Sequence, residues 1–190
     1  MTTTHRGLPV SQLTQFVGRD AELNSLRKLV SSRRLVTITG QAGVGKSRTA
    51  ARVADVLRRS LGGSTVLIPM AGRDAEDLGP AIGEAIDSAG GTVPELVRAL
   101  GDRPHLLIID DLDGAAAAGA LLEELLRGTV ETRILVTSRG RTGIGGETPF
   151  TLDPLEVPSA AAYHATDAVA QSPTFTLLVA RIVDSDPNFD

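Results

Sequence analysis

Within "ITGQAGVGKSRTA" (residues 38–50), three glycines fall in six positions, and Lys46 and Ser47 follow them directly. The chain carries two lysines against seventeen arginines, so an ammonium placed beside this loop departs from its usual source of positive charge. Gly40, Gly45, Lys46 and Ser47 fit G-x-x-x-x-G-K-[ST], the Walker A pattern. The residue types suit phosphate chemistry. Glycines let the main chain curl until successive N–H groups face phosphate oxygens. A helix opening after the loop adds its positive N-terminal end. On this reading Gly40, Gln41, Ala42, Gly43, Val44 and Gly45, continuing through Lys46, Ser47 and Arg48, form the nucleotide-contacting run. The Lys46 ammonium reaches the β- and γ-phosphates. The Ser47 hydroxyl ligates Mg²⁺, a cation that dehydrates reluctantly and takes few protein ligands. The bland alternative is a Gly-rich turn with Lys46 in solvent.

A second set of residues completes the chemistry. Asp110 and Asp111 follow the apolar run "HLLII" (105–109), and carboxylates at the C-terminal edge of a parallel sheet stand where ligands bind. Asp110 is expected to hold Mg²⁺ through its water shell, and Asp111 to polarise an attacking water. Arg139 follows "TRILVTS" (132–138), and an arginine there can contact a terminal phosphate and tell a triphosphate from a diphosphate.

These residues need elements to position them. Leu23, Leu26 and Val30 recur at helical spacing, with Asp20 as the expected cap. "RLVTIT" (34–39) reads as a buried strand, and Ala50, Val53, Ala54 and Leu57 as one face of a helix running to Arg59. Further strands are expected at 64–70, 105–110, 132–138 and 148–152, and further helices at 75–88, 94–100 and 115–127, with Pro94 in a first turn and Asp113 as a cap. Strands and helices alternate, so the fold class is α/β, a parallel sheet with helices on both faces. Pro154 and Pro158 mark a boundary, and 159–185 reads as mainly helical. The domain reading is a loose, polar segment 1–15, a nucleotide-binding unit 16–155 and the start of a helical region 156–190.

Composition narrows the class. At 190 residues the length is that of one ordinary domain, and no cysteine is present, so disulfides and thiolate-bound zinc are excluded. A net charge of −4 gives no basic surface for nucleic acid. No apolar run is long enough to span a bilayer, and "MTTTHRGLPV" has no apolar leader core. The expected partners are therefore nucleotide, with neither nucleic acid nor membrane bound by this segment, and the expected location is the cytoplasm. His5, His105 and His164 are given no role; His105 opens a strand and reads as a satisfied edge residue.

"QFVGRDAEL" (15–23), "TGQAGVGKSRTA" (39–50), "HLLIIDDLD" (105–113) and "RILVTSRGRTGIGGE" (133–147) occur in this order. Together they resemble the nucleotide-binding domain of STAND-type signal-transduction ATPases, the NB-ARC-like branch, and most of all large bacterial transcriptional activators of the LuxR and antibiotic-regulator types. The resemblance covers about residues 8–155. It implies a P-loop NTPase sheet of five strands in the order 5-1-4-3-2. It implies that Phe16, Val17, Gly18 and Arg19 fold over the adenine and ribose, and that Arg139 is the sensor arginine. It implies ATP or ADP with Mg²⁺ as cofactors, slow hydrolysis, and a switch between a closed ADP form and an open ATP form that self-associates. The family continues into a helical subdomain with a Gly-Leu-Pro motif, whereas "PTFTLLVARIVDSDPNF" resembles only the opening helix of that region. The expectation is an N-terminal piece of a longer protein or a truncated gene product.

Two other functions fit parts of the pattern. A small-molecule P-loop kinase would share Gly40, Gly43, Gly45, Lys46 and Ser47, but residues 64–74 offer Arg73 and Asp74 with no clear acceptor pair, and "FVGRDAEL" has no place in it. A non-catalytic nucleotide-binding interaction module fits every motif, because binding uses Lys46 and Ser47 whereas hydrolysis also needs an oriented water.

Overall fold

A computed structural model describes residues 16–58, 63–112, 116–158 and 169–186. Five strands form one sheet: β1 (Leu35–Thr39), β2 (Ser64–Pro69), β3 (His105–Asp110), β4 (Thr132–Ser138) and β5 (Thr148–Thr151). All pairings are parallel and the order is β2-β3-β4-β1-β5, the expected 5-1-4-3-2 read from the other edge. The helices are α1 (Asp20–Ser32), α2 (Lys46–Leu57), α3 (Leu78–Ala85), α4 (Val93–Leu100), α5 (Ala116–Gly128) and α6 (Pro173–Ser185).

The central strands are apolar on both faces because both are covered. On β3, Leu106 and Ile108 pack with Leu26 and Val30 of α1 and with Val53, Ala54 and Leu57 of α2. Leu107 and Ile109, one residue out of phase, pack on the opposite face with Leu78 and Ile82 of α3, Leu96 and Leu100 of α4, and Leu122 and Leu125 of α5. A period of two thus feeds two cores, which is why the sequence of a central parallel strand reads as an unbroken apolar run.

Several boundaries differ from expectation. Asp20 is the first residue of α1 rather than its cap; Arg19 holds the cap position, and Asp20 and Glu22 place negative charge in the first turn, where the helix dipole favours it. The helix expected over 75–88 is a short 3-10 turn, Ala75–Asp77, followed by α3. The helix expected to run to Arg59 has its last residue at Leu57. In α4 the Thr92 and Glu95 side chains cap each other's main chain, with Pro94 in the first turn as expected. Asp113 and residues 1–15, 59–62, 159–168 and 187–190 lie outside the described residues. Within 169–186, α6 meets the helical expectation.

His105 is satisfied at both ring nitrogens. Its Nε2 donates to the Leu100 carbonyl at 3.1 Å, which leaves Nδ1 to accept from the Ser64 hydroxyl.

Candidate functional site

The parallel register brings the C-terminal ends of β1, β3, β4 and β5 to one edge, with Thr39 opposite both Ser138 and Thr151. The loop from β1 to α2 turns there. Gly45, at φ 99°, is left-handed immediately before α2. Gly40 has φ 150°, and a Cβ on it would lie 2.5 Å from the Leu152 carbonyl oxygen, so the loop closes against the end of β5 only because no side chain intervenes.

Lys46 opens α2 and is buried. Its ammonium donates to the carbonyls of Gly40 at 2.9 Å and Gln41 at 3.0 Å. An ammonium has three donors, so one remains beyond these two bonds. Ser47 is half-buried in the same first turn. Arg48 lies within electrostatic range of Arg181 and Asp184 on α6; burial and then the like charge of Arg181 lower its pKa, while Asp184 opposes them.

The segment before α1 is fastened to this loop. Arg19 is buried, pairs with Glu22 at 2.7 Å through Nη1, and donates through Nη2 to the Val44 carbonyl at 3.4 Å. Phe16 and Val17 are half-buried, and Gly18 backs onto Pro173 of α6.

Asp110 ends β3. Its Oδ1 accepts from the Thr137 hydroxyl at 2.6 Å, and the same hydroxyl oxygen accepts from the Asp111 N–H at 2.8 Å. Asp111 has φ 61°, a left-handed conformation uncommon for a residue with a side chain. Such outliers gather at functional sites. Arg139, Gly140 and Arg141 follow β4 and line a cleft of about 480 Å³, which Thr39, Gly40, Gln41, Ala42 and Thr151 also line. The structure therefore brings Arg139 to the loop between β1 and α2, while Asp110 and Asp111 leave β3, on the far side of β4 from that loop.

The donor set fits Mg²⁺ better than a metal held in a protein cage. Among the described residues no group of three or more His, Cys, Asp or Glu gathers around a common point. One hydroxyl at Ser47 and one oriented carboxylate at Asp110 suit a cation that keeps its waters and takes most other oxygens from phosphates.

Sequence reasoning passed over Thr137. The residue stands in "RILVTSRGRTGIGGE" (133–147), where only Arg139 is given a role. A polar residue directly after the apolar run 134–136 of a buried strand was the available signal.

Residues 15–88 match the family model of the AAA ATPase domain. Over 157 residues the chain is 31% identical to a Mycobacterium tuberculosis protein provisionally named as an HTH-type transcriptional regulator, Rv0890c, a match spanning 80% of this chain and 18% of that one. The chain has the fold of the P-loop NTPases, and its N-terminal part matches an AAA ATPase domain. The chain is also 34% identical over 151 residues to the uncharacterized protein Rv0894 of the same species, spanning 76% of this chain and 38% of the relative. It thus spans well under half the length of these curated relatives. The same fold occurs in Cdc6p from Pyrobaculum aerophilum, with a TM-score of 0.58, 15% identity, 94% of this chain covered and 57% of that chain. Among the described residues no helix is long and apolar enough to cross a membrane.

Proposed function

We propose that this ATPase domain is an ATP/ADP switch module of a cytoplasmic signalling or transcriptional regulator, with slow Mg²⁺-dependent hydrolysis. The observation that carries the reading is Lys46: a buried ammonium at the first position of α2, bonded back to a loop in which Gly40 leaves no room for a side chain and Gly43 and Gly45 are left-handed. The N–H groups of the loop and the start of α2 hold phosphate oxygens. The Lys46 ammonium exchanges the Gly40 and Gln41 carbonyls for the β- and γ-phosphates as they arrive. Ser47 and Asp110 hold Mg²⁺, which supplies charge neutralisation across those phosphates. Arg139, sharing a cleft with Gly40–Ala42, contacts the terminal phosphate and so distinguishes ATP from ADP. Asp111 orients the attacking water. Phe16, Val17, Gly18 and Arg19 seat the base and ribose, with Arg19 already bonded to the loop.

The regulatory role draws on the relative named for an HTH-type transcriptional regulator. On this reading residues 16–155 bind nucleotide, 156–190 begin a helical unit, self-association accompanies the ATP state, and nucleic-acid contacts belong to other parts of such regulators. The test is to purify the protein, denature it and identify released nucleotide by chromatography, then to measure melting with Mg²⁺ and ATP or ADP. Released ADP, or a rise in Tm with either nucleotide, is the expected result. No released nucleotide together with an unmoved Tm would overturn the reading.

A further inference from the structure

We infer that Thr137 is a positioning residue for ATP hydrolysis, a single hydroxyl that sets both acidic residues at the end of β3. The inference rests on the nucleotide reading above and concerns how the β3 edge is made competent for metal and water.

Thr137 is fully buried, one residue from the end of β4. The directions of its bonds are fixed by chemistry. An amide can only donate, so the Asp111 N–H uses a lone pair of the Thr137 oxygen, at 2.8 Å. The hydroxyl has one proton, which goes to Asp110 Oδ1 at 2.6 Å. The Thr137 carbonyl then takes the Leu112 N–H at 2.9 Å. Three consecutive residues, 110 to 112, are thereby tied to one residue of the neighbouring strand.

Two consequences follow. With Oδ1 committed to Thr137, the Asp110 carboxylate cannot turn freely, and Oδ2 is the oxygen presented to a hydrated cation. With its N–H held by Thr137, Asp111 stays in the left-handed turn, at φ 61°, that sets where its own carboxylate leaves the chain. A loss of the hydroxyl unfastens both at once, while the phosphate loop, reached through β1, keeps its structure. Hydrolysis and the Mg²⁺ response should therefore suffer more than nucleotide binding itself.

The experiment compares the full chain with T137V, which keeps the branched shape and loses the hydroxyl, and T137S, which keeps the hydroxyl. ATP affinity is measured in Mg²⁺ and in EDTA, ATP turnover is measured alongside, and Asp111 amide exchange is followed without nucleotide. In T137V, affinity in EDTA is expected to stay within threefold of the parent. The gain in affinity from Mg²⁺ and the turnover rate should each fall at least tenfold, and the Asp111 amide should exchange faster. T137S should stay within threefold on every measure. T137V matching the parent in Mg²⁺ gain and turnover would overturn the inference, as would T137S being as impaired as T137V, since packing rather than the hydroxyl would then be the cause. If T137V does not fold, T137A makes the same comparison. A parent that binds nucleotide in neither buffer sinks the nucleotide reading, and this role with it; a parent that binds, with T137V indistinguishable from it, sinks this role alone.

Discussion

Lys46 turns its ammonium back onto the carbonyl of Gly40, six residues behind it, at 2.9 Å. The same charge that would meet a phosphate therefore braces the loop. Each neutral hydrogen bond contributes about 1 kcal/mol net, and one to a charged group somewhat more. Lys46→Ala should accordingly cost the apo protein only a few degrees in Tm. Its effect on ligand stabilisation should be much larger. A nucleotide at 100 times its Kd stabilises the parent by about 2.7 kcal/mol, and the variant should lose that increment under the same conditions. Thermal melting with and without Mg²⁺-ATP checks this. A variant that keeps the full nucleotide shift would mean that Lys46 only braces the loop.

Gly18 and Pro173 approach closely enough to tie α6 to the segment before α1. A Cβ on residue 18 would stand 2.3 Å from the Pro173 Cβ, and Gly18 has φ 72°. Gly18→Ala therefore meets two penalties, a left-handed backbone costing roughly 1–2 kcal/mol and an overlap that must push α6 away. The prediction is faster amide exchange through Pro173–Ser185 and a lowered Tm. P173G in the same chain should recover part of the exchange protection by removing the overlap, though not the backbone cost. Unchanged exchange in α6 would show that its docking does not depend on this contact.

The legibility of this molecule followed the range of the interactions involved. Lys46, Ser47 and Gly40–Gly45 were readable because their chemistry lies within eight consecutive residues. The strands were readable because burial on both faces leaves runs such as Leu106–Ile109 with no polar interruption. Asp110 could be placed at the sheet edge, but not its bond to Thr137, which joins residues 27 apart and depends on β3 and β4 lying in register. The Asp111 turn was hidden for the same reason, since its acceptor comes from another strand. The end of α2 and the break between the 3-10 turn and α3 are local, yet they reflect small differences in capping that periodicity does not resolve.

Arg139 and Gly40–Ala42 face a common cleft of about 480 Å³, and this gives the ATP/ADP distinction a specific test. A guanidinium that meets only the third phosphate should matter to one nucleotide. Arg139→Ala should weaken ATP at least tenfold, about 1.4 kcal/mol, and leave ADP within threefold. Arg139→Lys keeps charge without the planar fork and should fall between. Isothermal titration with the two nucleotides reads both numbers. Equal losses for ATP and ADP would place Arg139 on the inner phosphates or make its effect indirect.

Acid stability should show two limbs, each traceable to a side chain. Burial pushes the His105 pKa below its ordinary value of 6.5, Arg103 adds to this, and the bond to Leu100 opposes it. The folded state therefore resists a proton that the unfolded chain accepts. Above 6.5 both states are neutral and His105 contributes no slope; below it the unfolded state binds more protons, so stability falls as pH falls toward the folded-state pKa. Glu147 acts lower down. Burial raises its pKa, but the Thr142 N–H at 2.9 Å, the nearby Thr37 hydroxyl, the Thr142 hydroxyl at 2.8 Å and the Gly143 N–H at 3.1 Å together outweigh that and leave it below the ordinary 4.5. Its stabilisation is present above 4.5 and is lost as pH drops through the folded-state pKa. Urea unfolding from pH 7.5 to 3.5 measures both. His105→Gln should flatten the slope just below 6.5 and spare the lower limb, whereas Glu147→Gln should do the reverse, loosening residues 142–147 behind Arg139 and Arg141. A His105→Gln protein with an unchanged slope between pH 6.5 and 5 would show that His105 titrates alike in both states.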